Sequence, residues 1–385
     1  TLSLTSGATM SATGAVASAQ EVDGSVTASA TNNTISNSTG FANDLESSTL
    51  TTTANLVSST ATGTSASNTL QTTSGTNNLS LVLNVGSVQN GAAATDDQPA
   101  VIAGQALTND QAMSSTGSVT ASVLDNQILS FVGDDVGAAV VDTDDNEMSA
   151  SATGNEADNT IALAFNALEG TISGAGTGVV AATANEQTLG NNSSITARNA
   201  GLNGVPIFTQ VGSDAGSALP GASVSTSGNT VSVSANGNVT TGNDVIVDAT
   251  NITSGSEADP SITTAGLLTA TGSFVSASTQ TSGADILASQ NNTGGTLSNR
   301  IVTAFGDDIQ DQSTVVSDDN VLSAVATANS ASNSVQLGDA ETATVAASGV
   351  TANYQSTSAA GSVSALIGIA GTEAIAGFTS LNGAT

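Results

Sequence analysis

A degenerate internal repeat constrains the fold of this chain more than any other feature of its sequence. Residues 144–163 align without gaps on residues 318–337, and eleven of the twenty positions are identical. A third copy spans residues 55–70, and a looser fourth copy begins at Asn229. The shared pattern is Asn-x-apolar-Ser-x-x-Ala-x-Gly/Ala-x-x-Ala-x-Asn-x-apolar. Such a unit cannot bury its apolar side chains alone, so we expect its copies to stack on one another.

A second repeated unit precedes the first. Residues 24–35 match residues 117–128, and a weaker echo spans residues 272–277. We therefore predict a single elongated β-rich domain over residues 1–385, with about three pseudo-repeats that open near residues 24, 117 and 272. The unequal lengths of these repeats indicate insertions, which repeat architectures place in loops on one side.

Residue alternation within the repeat is typical of strands. Met148, Ala150 and Ala152 fall on one face, and the hydroxyl side chains between them fall on the other. The alternation changes parity across residues 153–155, as it would at a turn, and then resumes through residues 157–165. Because helical periodicity is nearly absent, the sequence predicts an all-β chain.

The composition favours a β-solenoid, in which each coil stacks on the next. Hydrophobic residues make up 38% of the chain but aromatic residues only 2%, which suits a narrow core of Ala, Val, Ser and Thr. An antiparallel β-sandwich array is the alternative, although sandwiches commonly use aromatic core residues. The high hydrophobic content and the 4 prolines favour an ordered chain over a disordered one.

A recurrent Asn closes each copy of the repeat, at Asn68, Asn159 and Asn333. Their side-chain amides could form a ladder in which each bonds the adjacent coil. Alternatively, Asn stands there because it tolerates left-handed turn geometry. The sequence leaves these two interpretations open.

The chain lacks most of the side chains that perform chemistry in enzymes. It contains no Lys, His, Cys or Trp, and its only cations are Arg198 and Arg300. No catalytic or cofactor-binding residue is predicted, and we expect the protein not to be an enzyme. The formal net charge of −30 makes nucleic acid an unfavourable partner.

Clusters of carboxylates are the candidate metal ligands. Calcium prefers oxygen ligands, and it is the one ion that these clusters would suit. No cluster has the spacing of an EF-hand loop, so solvated turns on an acidic surface are the competing interpretation. The main candidates are Asp142, Asp144, Asp145, Asp307, Asp308 and Asp311, and the pairs Asp134/Asp135 and Asp318/Asp319 are further ones.

Several features are typical of a secreted protein at a bacterial surface. The chain begins TLSLTSGATM, without an initiator Met or a signal peptide, as a processed mature form would. No stretch approaches the roughly 20 apolar residues of a transmembrane helix. The most apolar segment, residues 365–378, is expected to be a terminal strand or cap, or else a strand that docks on a partner subunit.

The strand-rich segment at residues 151–161, Ser-Ala-Thr-Gly-Asn-Glu-Ala-Asp-Asn-Thr-Ile, resembles bacterial surface β-solenoids and, more loosely, curlin-type fibre subunits. In size and character the chain is similar to the larger holdfast-anchor proteins of stalked alphaproteobacteria. This resemblance implies a role in tying adhesive polysaccharide to the outer membrane, together with partner anchor proteins. The regular Ser-x-Gln-x-Gly repeats of curlins are missing here.

The sequence therefore predicts a secreted structural protein that serves as anchor, adhesin or fibre subunit. Its expected partners are other surface-anchor or fibre subunits, in homo- or hetero-oligomers, and extracellular polysaccharide. Two alternatives remain at this point: a carbohydrate-binding or carbohydrate-degrading β-helix of the tailspike kind, and a surface-layer lattice protein.

Overall fold

The structure is a computed structural model in which every regular element but one is a strand. It describes residues 2–4, 10–12, 14–40, 44–74, 80–84, 86–89, 100–165, 171–175, 179–212, 221–253, 261–264, 268–271, 273–291, 299–305, 312–338, 342 and 344–367. The exception is a short 3-10 helix at Leu202–Gly204. The prediction of an all-β chain is confirmed for these residues.

The strands follow one another closely along the chain. The first are β1 (Leu2–Leu4), β2 (Met10–Ala12), β3 (Gly14–Val22), β4 (Ser25–Thr31), β5 (Thr34–Ser38), β6 (Leu45–Glu46), β7 (Thr49–Thr53), β8 (Leu56–Ser74), β9 (Ser80–Asn84) and β10 (Gly86–Gln89). Next come β11 (Ala100–Met113), β12 (Ser118–Val132), β13 (Val136–Gly137), β14 (Val140–Asp144), β15 (Glu147–Phe165), β16 (Thr171–Ala175), β17 (Val179–Leu189), β18 (Ser194–Gly201), β19 (Ile207–Val211), β20 (Ser223–Ser227), β21 (Thr230–Asp248) and β22 (Asn251–Thr253). The last are β23 (Ser261–Thr264), β24 (Leu268–Thr271), β25 (Phe274–Ser282), β26 (Asp285–Ser289), β27 (Ile301–Phe305), β28 (Thr314–Val316), β29 (Val321–Ala331), β30 (Ser334–Leu337), β31 (Thr344–Ala346), β32 (Gly349–Thr357) and β33 (Val363–Leu366).

Five larger sheets collect strands that recur in the same order along the chain. Sheet A holds β1, β8, β15, β21, β29 and β30; sheet B holds β2, β9, β16, β22 and β31. Sheet C holds β3, β10, β11, β17, β25 and β32; sheet D holds β4, β5, β12, β18, β19, β26, β27 and β33; sheet E holds β7, β14, β20 and β28. We call one passage of the chain through C, D, E, A and B a circuit.

Strand pairing is parallel almost throughout the described residues. The exceptions are the antiparallel pairs β10–β11 and β23–β24. The alternative prediction of an antiparallel β-sandwich array is therefore wrong for this part of the chain. The physical reason is that neighbouring strands belong to successive circuits. The chain therefore runs in the same direction each time it passes through a given sheet.

The four copies of the repeat are the four long strands of sheet A, stacked in register. Leu56 of β8 lies opposite Glu147 of β15, Glu147 opposite Thr230 of β21, and Thr230 opposite Val321 of β29. The same register places Met148 beside Val231 and Val231 beside Leu322 on the inner face. The repeated pattern therefore matches a repeated position in the stack.

The parity change at residues 153–155 is a bend within one strand, where the sequence predicted a turn. β15 runs without interruption from Glu147 to Phe165, and its pairing register passes from Thr153 directly to Asn155. Gly154 is the bend residue, and both Gly154 and Asn155 are buried. Glycine permits this local change of face without ending the strand.

Two apolar clusters lie along the inner face of sheet A. The first half of each long strand packs on sheet D, where Met148 contributes to the same buried cluster as Val119 and Ile195. The second half packs on sheet C, where Ile161 is fully buried in a cluster with Leu107. Val335 is half-buried against this second cluster because its strand, β30, lies at the end of the stack.

The predicted repeat openings fall at two different places in the fold. Ser25 and Ser118, which follow Gly24 and Gly117, are register partners in sheet D. Phe274, two residues after position 272, lies instead in sheet C, opposite Ala181. Residue 272 itself is outside the described residues.

The stack is wider than it is tall. At about 3.3 Å per residue, a strand of 19 residues such as β15 reaches up to about 60 Å. The five parallel strands of sheet C, separated by four spacings of about 4.8 Å, rise only about 19 Å. Within the described residues no helix has the length and apolar character needed to cross a bilayer.

Gly63 offers a direct check of the close approach between circuits at the bend. A Cβ at Gly63 would lie 2.5 Å from the carbonyl oxygen of Gly154 and 3.0 Å from Val119 Cγ2. We expect Gly63→Ala to lower the free energy of unfolding by about 1–3 kcal/mol, as overpacking does. Gly24→Ala is the matched control, because a Cβ at Gly24 has no neighbour within 4 Å. Chemical denaturation measures both, and equal midpoints would contradict the predicted stacking.

Candidate functional site

A column of asparagines at the start of the long strands links the circuits through side-chain amides. Asn55, Asn146, Asn229 and Asn320 occupy equivalent positions. Nδ2 of each of the first three donates to Oδ1 of the next, at 2.9, 3.0 and 2.9 Å. The backbone N–H of each also donates to the same oxygen, at 3.1, 3.1 and 3.2 Å. Every Oδ1 in this turn ladder except that of Asn55 therefore accepts two hydrogen bonds from the preceding circuit.

The local backbone explains why asparagine fits this position. The residue before each ladder Asn has positive φ: Ala54 at 55°, Asp145 at 55°, Gly228 at 64° and Asp319 at 51°. That left-handed residue turns the chain between sheets E and A, and the next side chain then points along the stack. The repeat pattern begins with this Asn, so the sequence carried the signal, although the predicted ladder residues were the second Asn of the repeat.

The sequence-predicted residues Asn68, Asn159 and Asn333 lie in the middle of sheet A, facing sheet C. Asn68 Nδ2 donates to Asn159 Oδ1 at 2.9 Å and to Asn109 Oδ1 at 3.2 Å. Asn333 Oδ1 accepts from Asn243 Nδ2 at 3.1 Å. None of the three predicted residues has positive φ, so tolerance of left-handed geometry does not account for asparagine at these positions.

This second ladder is interrupted between the second and third circuits. Asn159 and Asn243 are register partners, yet Asn159 Nδ2 donates across the interior to Asn185 Oδ1 at 3.3 Å. Asn243 Oδ1 is buried and accepts no hydrogen bond. β21 carries one extra residue, Thr241, where the register shifts between Ala157 and Asp158. This bulge at Thr241 therefore lies next to Asn243, the residue at which the ladder is interrupted.

A column of glutamines in sheet C spans all of its circuits. It consists of Gln20, Gln111, Gln187, Gln280 and Gln355. Nε2 of each later residue donates to Oε1 of the one before, at 3.2, 2.8, 2.7 and 2.8 Å. The first four also donate to carbonyl oxygens of sheet A, those of Ser65, Glu156, Val239 and Ser330. The glutamines thus tie sheet C to sheet A as well as circuit to circuit.

Two further columns have the same character. Thr64 Oγ1 donates to Asn155 Oδ1 at 2.8 Å, and the column continues through Asn238 to Asn329 at 2.9 and 2.8 Å. A hydroxyl column alternates between sheets D and E with separations of 2.7–2.8 Å. Its members are Thr52, Ser130, Thr143, Thr209, Thr226 and Thr303. Neither column was predicted from the sequence.

The amide columns between sheets A and C occupy the interior between the two apolar clusters. Asn155, Asn159, Gln187 and Asn238 are all 0% exposed. A buried amide without a partner costs about 1–3 kcal/mol, so stability requires each circuit to present its amide at the height of its neighbour's. A register slip would leave a whole column unpaired. The columns therefore specify how circuits stack.

The predicted acidic sites have a different environment. Asp144 Oδ1 accepts from Ser225 Oγ, Ser227 N and Ser227 Oγ, each at 3.0 Å, and so supports the turn of the next circuit. Asp142 lies on the same strand, and Asp145 is the left-handed turn residue before Asn146. Burial, reinforced by the neighbouring Asp144 charge, raises the pKa of Asp142 above its ordinary value. Asp307, Asp308 and Asp311 lie outside the described residues.

Another acidic group is closer in geometry to a metal site. Among the described residues, the three side chains Asp44, Asp134 and Asp135 place carboxylate oxygens within 4.8 Å of one another. Asp44 is exposed and the other two are half-buried. Asp134 and Asp135 were among the further candidates predicted from the sequence, whereas Asp44 was not, and the group does not include Asp142, Asp144 or Asp145.

Comparison with protein-family models, with curated proteins and with solved structures finds no match for this chain.

The turn ladder can be tested by Asn146→Asp. Asn146 Nδ2 donates to Thr52 O at 2.8 Å and to Asn229 Oδ1, so a carboxylate there would face two acceptors in a buried position. We expect a loss of about 2–4 kcal/mol at pH 7. Burial beside two acceptors should raise the folded-state pKa of the introduced carboxyl, so we expect the loss to shrink as the pH falls toward about 4, below which the carboxyl is protonated in both the folded and the unfolded state.

Asn32→Asp is the control for that substitution. Asn32 is exposed with φ of 58°, at the same kind of left-handed turn position that Asp125, Asp145 and Asp319 occupy. Urea denaturation at pH 7 and pH 3.5 separates the two variants. Equal effects of both substitutions would contradict the role of the turn ladder.

Asp142→Asn tests whether Asp142 is a solvated carboxylate or a calcium ligand. Because the folded-state pKa is raised, ionisation of Asp142 costs stability as pH rises through that pKa, and no cost remains below the unfolded pKa. We expect the thermal midpoint to rise at pH 7 and to stay unchanged at pH 3, with Asp125→Asn, at an exposed turn, as control. A midpoint that falls at pH 7 in the presence of calcium would indicate instead that Asp142 binds the ion.

Proposed function

We propose that this protein is a secreted structural component of a bacterial surface, a β-solenoid that serves as anchor, adhesin or fibre subunit. The observation that supports it best is the set of amide and hydroxyl columns that run through successive circuits in register with parallel backbone ladders. In such an interior the amides and hydroxyls are bonded to one another, an arrangement suited to maintaining a shape.

The proposed mechanism is mechanical. Each circuit is bonded to the next along every sheet, so separating two circuits requires breaking many backbone and side-chain hydrogen bonds together. The buried amides make partial separation costly because each would lose its partner in an interior without water. A load applied across the stack is therefore shared by all the sheets.

The surface location rests on the resemblance to holdfast-anchor proteins and on a composition suited to exposure. Partner anchor or fibre subunits and extracellular polysaccharide are the proposed contacts. Labelling of intact cells of the source organism with an antibody to this chain tests the location, and attachment of a deletion strain with its complemented control tests the role. Labelling only after permeabilisation, or release of sugars from polysaccharide by the purified chain, would overturn the proposal.

Trypsin digestion provides a test of durability. Arg198 lies in β18, which is paired on one side with β12 and on the other with β26. Arg300 is exposed just before β27, which pairs with β19. We expect trypsin to leave the bond after Arg198 intact in the native protein and to cut only after Arg300.

Intact mass spectrometry before and after the addition of urea measures the cleavage. Arg300→Gln should make the native chain resistant to trypsin, while the unfolded variant is still cut after Arg198. Rapid cleavage after Arg198 in the native protein would contradict a protected interior ladder.

A further inference from the structure

The two cations of the chain lie at one corner of the stack. Asn299 Nδ2 donates to Asn199 O at 2.7 Å, and Asn299 Oδ1 accepts from Gly201 N at 2.8 Å. Arg198 and Arg300 are the chain neighbours of these two asparagines, so they flank the same contact between circuits. The asparagines are buried, whereas Arg198 is half-buried and Arg300 is exposed. Both cations therefore lie on the outer side of sheet D, at the corner between its two halves.

Neither cation is neutralised by the part of the chain that the structure describes. Within it, Arg198 and Arg300 form no ion pair and no side-chain hydrogen bond, although the chain carries 32 acidic residues. Two unpaired guanidinium groups form a small positive patch on an otherwise acidic surface. Because a guanidinium binds a carboxylate through two parallel hydrogen bonds, the patch suits an anionic group of that kind.

The outer face of sheet D beside Arg198 is lined by hydroxyl groups. Along β12 and β18, the buried residues Val119 and Ile195 alternate with outward-facing serines and threonines. Two such columns run in register through the first three circuits, and we call them the hydroxyl face. They consist of Ser25, Ser118 and Ser194, and of Thr27, Thr120 and Thr196. Arg198 occupies the next outward position after Thr196, so the hydroxyl face adjoins the positive patch.

The threonine column of this face keeps its hydrogen-bonding capacity. Thr27, Thr120 and Thr196 form no side-chain hydrogen bond with one another or with any other described residue. The interior hydroxyl column is the opposite case, because its members are bonded to one another at 2.7–2.8 Å. Each free hydroxyl can donate one hydrogen bond and accept others, so the outer column is available to a ligand rich in hydroxyl groups.

The chemistry of this surface fits a sugar polymer better than a protein or a membrane. Protein interfaces have an apolar centre enriched in aromatic residues, which the hydroxyl face does not provide. An anionic membrane or a densely charged polymer would be repelled by the net charge of −30. A neutral sugar chain escapes this repulsion, and a few carboxylates along it give the two arginines their counterpart.

We propose that the hydroxyl face, Arg198 and Arg300 form a binding site for a largely neutral polysaccharide that carries occasional carboxylates. The hydroxyl face bonds the sugar hydroxyls, and the two arginines bind a carboxylate. This inference rests on the proposed surface function and specifies the chemistry of the polysaccharide. The attraction acts within about 10 Å at about 0.1 M salt, so binding should weaken as salt rises. Repulsion by the net charge alone would give the opposite trend.

Affinity electrophoresis in gels that contain gellan, a polymer of neutral sugars interrupted by glucuronates, measures the binding. We expect Arg198→Gln with Arg300→Gln to weaken it by about tenfold, through loss of the charged hydrogen bonds. Lysine at both positions should weaken it less, because the charge is kept and only the paired geometry is lost. Carboxyl-reduced gellan should bind the wild-type chain as weakly as gellan binds the double glutamine variant.

The hydroxyl face is tested by Thr120→Val with Thr196→Val, which removes two hydroxyls and keeps the β-branched shape. We expect gellan binding to weaken by about threefold or more. Thr160→Val, on the outer face of sheet A, is the matched control and should leave binding unchanged.

The charge of the corner is tested separately with Asp125→Asn. Asp125 is exposed at the same corner in the second circuit, between the register partners of Ala200 and Gly201. Its removal should strengthen gellan binding by about twofold, because a repulsive carboxylate is lost. Asp158→Asn changes the net charge equally on the distant sheet A and should have no effect.

Three results would overturn the site, provided that urea denaturation shows each variant to be folded. These are equal binding of gellan and its carboxyl-reduced form, unchanged binding by the double glutamine variant, and no gellan binding by the wild-type chain. Each would leave the structural function standing, because surface labelling and attachment are measured without gellan. Loss of surface labelling would instead overturn the function, even where gellan still binds.

Discussion

The structure depends on one constraint: the buried amide side chains must find hydrogen-bond partners, either amides and hydroxyls of the neighbouring circuit or backbone carbonyls of the facing sheet. The interior of the long-strand sheet is not a continuous apolar core, because Asn155, Asn159 and Gln187 are fully buried between two apolar clusters. Such groups destabilise a fold unless they are bonded, and here most of them bond along the stack. The apolar clusters drive burial, and the polar columns determine the register at which burial occurs.

This division of roles explains the unusual composition. Columns of Ser, Thr, Asn and Gln satisfy one another with short side chains, so the interior needs few aromatic residues and no ion pairs. Buried charges would be costly by comparison, as the raised pKa of Asp142 at the margin of the stack illustrates. Asp110 shows the same effect, because burial and then the charge of Glu21 raise its pKa. The acids lie mainly where solvent or hydroxyl groups can reach them.

The same constraint connects the interior to the proposed function. A column that continues from circuit to circuit must end somewhere, and its last members keep donors or acceptors that no further circuit satisfies. The opposite polarity of the asparagine and glutamine columns makes the two ends different from each other.

Residue alternation and the repeat determined a great deal without the structure. Met148 and Ile161 are buried where the period of two placed them, and the four repeat copies stack in one sheet because equal patterns bury equal faces. Only the tertiary structure decided that Asn55 and Asn146 form the continuous turn ladder, that Gln111 faces Glu156, and that Gly154 bends a strand without ending it. The reason is physical. Alternation reports which side of a strand a residue faces. A column, by contrast, requires side chains some 75–95 positions apart in the sequence to lie one above the other in the stack, and the length of the intervening loops decides whether they do.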